Sequence, residues 1–150
     1  MDGPSRHASD SLEQREAEIE VLRLVQDKVG CSLAAEVIAL GGGVTVQVDG
    51  INRDHRVLCE VYSRIGKLKA GQQDKLASDM LKLVFLEHTL GGEWRKFICL
   101  ADSEAARCVS GKSWLAAVAK RMGFTVLVVD PPQAVKDRLL AAQHRQILGK

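Results

Sequence analysis

The sequence predicts an α/β domain, a mixed central sheet of about four strands flanked by helices. Three observations predict it. Val44 to Asp49 alternates apolar and polar residues, as a half-buried strand does. Phe124 to Val129 is almost wholly apolar, as a strand covered on both faces is. The segments around these strands carry apolar residues at helical intervals.

Residues 1–9 are small, polar and proline-containing and are expected to form a disordered tail, leaving 10–150 as a single domain. Asp10 or Ser11 is placed to cap a first helix, with Glu13 and Gln14 at capping-box spacing. Leu12, Ile19, Leu22, Val25 and Val29 mark its apolar face, and Gly30 ends it. Ser32 then opens a second, shorter expected helix through Leu33, Val37, Ile38 and Leu40, with Glu36 within it and Gly41-Gly42-Gly43 as its stop. The alternating strand follows, then a polar turn from Gly50 to Arg56 and a partner strand from Val57 to Ser63. In such a hairpin Asp49 and Glu60 reach the same side of the sheet.

From Lys67 the period becomes helical through Leu76, Met80, Leu83 and Val84, until Gly91-Gly92. Trp94 to Leu100 reads as a third strand, Ser103 to Cys108 as a short helical turn and Ser113 to Met122 as a helix stopped at Gly123. The apolar run from Phe124 is the fourth strand. Pro131-Pro132 starts a last helix with Val135, Leu139, Ala142 and Gln146 on one face.

Composition bounds the function. With 46% hydrophobic and 27% charged residues, 150 residues can bury a real core, while a net charge of +2 is too small to announce a nucleic-acid or membrane partner by itself. An anionic partner must be met by a local patch. Arg53, Arg56, Arg64, Lys67, Lys69, Lys75 and Lys82 fall within Val44–Lys82, against Asp49, Asp54, Glu60, Asp74 and Asp79. Cys31, Cys59, Cys99 and Cys108 lack metal-ligand spacing and suit buried thiols in a reducing compartment. No apolar run approaches the ~20 residues that span a bilayer, and the N-terminus lacks the order of a signal peptide, so a cytoplasmic location without membrane contact is expected.

The chemistry concentrates on Asp49 and Glu60. Two carboxylates from neighbouring strands, with Glu36 from the preceding helix as a third, form a hard oxygen site of the kind Mg²⁺ or Mn²⁺ prefers. Such an ion neutralises charge developing on a phosphodiester and activates water. Glu36, Val48-Asp49-Gly50, Glu60-Val61-Tyr62 and the helix containing Gly71-Gln72-Gln73-Asp74-Lys75-Leu76 together resemble the PD-(D/E)xK nuclease superfamily, the restriction-endonuclease-like fold. The resemblance covers roughly Ser32 to Glu87. It implies a metal-dependent nuclease hydrolysing DNA, with Asp49 and Glu60 as catalytic metal ligands and Glu36 joining them.

The family's lysine position is occupied by Tyr62, and no proline precedes Asp49. Migration of this lysine is familiar in the superfamily. Lys75 is the replacement the resemblance suggests, with Lys67, Lys69 and Gln72 placed to contact substrate phosphates. So small a domain has little surface for reading sequence, so specificity would come from a homodimer or a partner protein. An inactive member of the fold, binding DNA or a protein, is the alternative.

Ala106 to Ser113 also fits a degenerate phosphate-cradling P-loop, with Asp130 after the next strand, and would imply nucleotide binding. Ala106 stands where that motif needs its first glycine. Of the histidines only His55, in the hairpin turn, is near the carboxylates. Trp94 and Trp114 read as core or interface anchors.

Overall fold

The computed structural model describes residues 6–148, with side chains for residues 12–147. Helix α1 runs Arg6–Val29, so it starts inside the stretch expected to be tail, and the expected caps at Asp10 and Ser11 lie within the helix. Residues 1–5 of that expected tail lie outside the described residues. The buried stripe of α1 is Ala17, Val21 and Val25, and it packs with Val57, Cys59 and Phe97 of the sheet. Of the apolar face expected from the sequence, Leu12 and Ile19 are exposed instead. Small side chains at four-residue spacing let a helix lie flat against a sheet, and that closeness outweighs the larger residues' hydrophobicity.

The second helix expected from Ser32 is a strand, β1 (Ala34–Gly41). Gly41, Gly42 and Gly43 all take positive φ (91°, 61° and 81°) and reverse the chain into β2 (Val44–Asn52), antiparallel to β1 with Ala39 opposite Thr45. A run of glycines between two apolar segments is a hairpin signal, and it overrides the short helical spacing of Leu33, Val37 and Leu40. β2 continues three residues beyond Asp49, the turn tightens to residues 53–56, and β3 (Val57–Tyr62) returns antiparallel.

Helix α2 (Ala70–Leu90) crosses over to β4 (Arg95–Leu100), which lies parallel to β3. The expected turn after it is a full helix, α3 (Ser103–Ser110), followed by α4 (Trp114–Arg121), β5 (Phe124–Val128) and α5 (Gln133–Leu148). Ser113 caps α4, its Oγ accepting from the Ala116 amide at 3.1 Å.

The sheet has five strands in the order β1-β2-β3-β4-β5, antiparallel across the first three and parallel across the last three. The fifth strand, beyond the four expected, is β1. β5 is an edge strand with Thr125 exposed, so the strand covered on both faces is β4, buried from Lys96 to Leu100. The remaining expectation for α5 holds in Val135, Leu139 and Ala142, which are buried, while Gln146 lies exposed and donates to Gln14 of α1.

Two cores result. Leu58, Ile98 and Leu100 point to α2, α3 and α4, meeting Leu76, Leu83, Leu86, Ala106 and Leu115, while Val57, Cys59, Phe97 and Cys99 point to α1 and α5. Cys59 and Cys99 are buried, Cys31 and Cys108 partly so, and all four are free. Among the described residues no helix is long and apolar enough to cross a membrane.

Candidate active site

The site begins as an irregularity in β2. Glu36 of β1 stands opposite Val48 and Ala34 opposite Ile51, so β2 spends an extra residue at Asp49-Gly50. This bulge lets Val48 and Ile51 both enter the α2-side core, and it re-aims Asp49. Gly50 is required there: an added Cβ would stand 2.5 Å from Cys59 Sγ and 3.1 Å from Leu33 Cβ. The ladder between β2 and β3 runs from Asn52 opposite Val57 to Gly50 opposite Cys59. Beyond it the Val61 amide donates to Asp49 Oδ2 at 2.9 Å, a side chain taking the place of a backbone partner.

β3 alternation turns Glu60 to the same face as Leu58, toward α2, where it is 3% exposed. There it meets α2 side chains on one helical face, Lys75, Asp79 and Lys82, spaced by four and three residues. Lys82 Nζ lies 2.5 Å from Glu60 Oε1 and 3.3 Å from Asp79 Oδ1. The Tyr62 hydroxyl donates to Asp79 Oδ2 at 2.5 Å. Asp49, Glu60, Tyr62, Lys75, Asp79 and Lys82 thus line one cavity of about 270 Å³.

The electrostatics are unsettled at one atom. Burial, and then the bond and charge of Asp49 beside it, push the Glu60 carboxyl up to about 9, and Lys82 offsets this only in part. Burial works against the Lys82 charge too, but Glu60 and Asp79 hold its ammonium above the usual range. These two directions compete, since Glu60 can stabilise Lys82 fully only when ionised. The upward direction for Glu60 is the firmer, because its largest cause is its own burial. Although Lys82 is close, Glu60 Oε1 receives no well-directed hydrogen bond. Burial and the bond to Asp79 hold the Tyr62 hydroxyl well above the usual tyrosine range.

The expected convergence of Asp49 and Glu60 is present: both carboxyls line one cavity, and Asp49 helps raise the Glu60 carboxyl. Glu36 does not join them. It lies on β1 rather than a helix, and both its oxygens accept from Arg53, at 2.7 and 2.5 Å. No three His, Cys, Asp or Glu side chains among the described residues gather so as to hold a metal ion. The candidate donor set is therefore Asp49 and Glu60, and Mg²⁺ is commonly held by one or two carboxylates with waters completing its shell. Two carboxylates lining one cavity have the donor chemistry a divalent cation takes, and Glu60 Oε1 is the oxygen that Lys82 approaches.

Lys75 lines the cavity, but Lys82 is the lysine that reaches Glu60. Sequence reasoning missed it, although Lys75, Asp79 and Lys82 stand at i, i+4 and i+7, which is a legible helical signal. Lys67 lines a separate cavity beside α3, and Lys69 is the N-cap position of α2, where its amide donates to Gln72 Oε1 at 2.8 Å. The His55 amide donates to Asn52 within the hairpin turn, and Trp114 is exposed. In the P-loop-like stretch, Ala106–Ser110 is part of α3, so no open loop leads from a strand to Lys112. Ser113 is occupied as a helix cap.

Comparison with protein-family models, with curated proteins and with solved structures returns no match.

Proposed function

We propose that the protein is a divalent-cation-dependent nuclease that hydrolyses phosphodiester bonds of DNA. The observation that carries this reading is the juxtaposition of Asp49 and Glu60 in one cavity with Lys82 on the second of them. The resemblance to the PD-(D/E)xK superfamily agrees with it, with Lys82 taking the role of the lysine missing at Tyr62. Mg²⁺ or Mn²⁺ held by Asp49 and Glu60 would neutralise phosphate charge and lower the pKa of an attacking water.

The chain's own groups have separable tasks. The Val61 amide fixes the orientation of Asp49. Asp79 holds Lys82 through charge and is itself held by Tyr62, so Lys82 has a second anchor when Glu60 turns to a cation. Lys82 then presents a fixed positive charge to a phosphate oxygen, and Lys75 adds a second from the same helix face. The free thiols suit a reducing cytoplasm, where we place the reaction.

The test is nicking of supercoiled plasmid by purified protein with Mg²⁺ or Mn²⁺. Asp49→Ala and Glu60→Ala should each lose activity by at least roughly a hundredfold, and Lys82→Ala by a similar order. Equal nicking by wild type and both carboxylate variants overturns the reading. The second reading, an inactive domain that binds DNA or a protein, is favoured by the exposed apolar side chains Leu81, Phe85, Trp114 and Met122. It requires binding without any cation-dependent nicking.

A further inference from the structure

Two more cavities adjoin the carboxylate site, and Lys75 and Val61 line all three. One, of about 510 Å³, has Asp49, Ile19 and Leu22 on its wall, with Arg15 beside them. The other, of about 240 Å³, is lined by Arg64 and shares Tyr62 with the carboxylate site. Arg64 Nε is buried and has no hydrogen-bond partner, and Arg64 and Lys75 form no ion pair among the described residues. The carboxylate facing this space is Glu18, whose Oε1 accepts from Gln14 and from Ser63.

The segment carrying Arg64 is held in place. Gln143 of α5 both accepts from the Ile65 amide and donates to the Ile65 carbonyl, at 2.7 and 3.0 Å, and the Gly66 amide donates to Asp102 at 2.6 Å. Behind it α5 is tied to α1 by Gln146 donating to Gln14 and Arg145 donating to Glu13. Arg64 lines this cavity with no carboxylate among the described residues ion-paired to it, and a phosphate is the group whose paired oxygens match the guanidinium fork.

We propose that the Arg64 cavity, with Lys75, binds a second phosphate of the same nucleic-acid strand whose scissile phosphate sits at Asp49 and Glu60. This rests on the nuclease reading. A nucleotide of that strand lies against Ile19 and Leu22, beside Asp49, which accounts for an isoleucine left 64% exposed on α1. The phosphate is either a terminal monoester, received in the end closed by α1 and α5, or an internal diester.

The test is fluorescence anisotropy of the full chain carrying Asp49→Asn, to prevent cutting. The probes are labelled single-stranded oligonucleotides with a phosphate or a hydroxyl at either end, across a range of salt concentrations. Arg64→Gln should weaken binding about tenfold and lower the salt dependence by roughly one phosphate contact, with Arg64→Lys retaining most of the slope. A loss confined to end-phosphorylated probes identifies the terminal monoester, and an equal loss on all probes the internal diester. Unchanged affinity and slope in Arg64→Gln, in protein whose thermal unfolding matches its parent, overturn the proposal, as does absence of binding by the parent. Plasmid nicking by the otherwise wild-type chain separates the two readings: nicking with an indifferent Arg64 removes only this subsite. A slope change without nicking leaves the subsite and removes hydrolysis.

Discussion

Near its C-terminal end α2 offers Glu87 to Lys96 of β4, and about one and a half turns earlier it offers Lys82 to Glu60 of β3. In each pair the sheet residue is buried and the helix residue reaches in from the rim. The Glu87 pair is complete. One oxygen accepts from Lys96 Nζ at 2.7 Å and the other from the Trp94 amide at 2.8 Å. Partial burial pulls its carboxyl upward, yet those bonds hold it below the usual range. Glu60 has a similar lysine but also a second carboxylate, Asp49, and a buried oxygen without a directed bond, and it is pushed up to about 9. A carboxylate that accepts two good bonds, one of them from a lysine, holds its charge; a buried carboxyl with a neighbour of like charge keeps its proton to higher pH.

The largest way to test that contrast is to break the complete pair. Glu87→Ala strands the Lys96 ammonium at 5% exposure and should cost about 3 kcal/mol in urea unfolding, without changing the cation dependence of nicking. A loss under ~1 kcal/mol would mean that Lys96 finds water or leans on the Phe124 ring, 5.6 Å away, well enough to need no partner.

The opposite sign is expected at the other pair. Between the ordinary glutamate value of 4.5 and about 9, folded protein keeps a proton on Glu60 that unfolded protein releases, so stability falls as pH rises across that window. Glu60→Gln removes this dependence. It should be more stable than wild type by about 2 kcal/mol at pH 6, with the difference closing below pH ~4.5. Mg²⁺ or Mn²⁺ should raise the unfolding temperature of wild type at pH 8 and leave Glu60→Gln unmoved. Thermal unfolding across pH, with and without the cation, reads both effects, and parallel curves for the two proteins would contradict the raised Glu60.

The smallest effect is expected at Glu36. Its carboxylate lies below the usual range because of Arg53, whose bonds it accepts at the surface, so Glu36→Ala should nick plasmid like wild type with the same cation requirement. A drop on the scale of Asp49→Ala would return Glu36 to the metal set.

The sheet's centre was legible because its signals are local. Asp49 and Glu60 were expected on one side from strand alternation and a short turn, with the bulge at Asp49-Gly50 deciding how Asp49 is aimed, and the helical repeat from Leu76 to Val84 was equally plain. β1 was misread because Leu33, Val37, Ile38 and Leu40 satisfy a helical spacing over one turn, while the hairpin signal lay in the glycines that follow. The stripe on α1 was read in part: Val25 is buried and Leu22 and Val29 pack against the core, but Leu12 and Ile19 are exposed, because periodicity favours large residues while the sheet also selected Ala17 and Val21 for closeness.

By itself the sequence determined the α/β class, the two carboxylates and their shared hairpin, since each depends on residues a few positions apart. Only the tertiary structure decided which lysine serves them. Lys82 lies 22 residues beyond Glu60 in the chain, and the crossover of α2 onto β3 brings its Nζ to 2.5 Å. The same packing removed Glu36, because strand pairing put it within reach of Arg53, and it isolated Glu60 from water. That isolation is what sets Glu60 apart from an ordinary glutamate: desolvation penalises its charge, and only a partner of opposite sign relieves it.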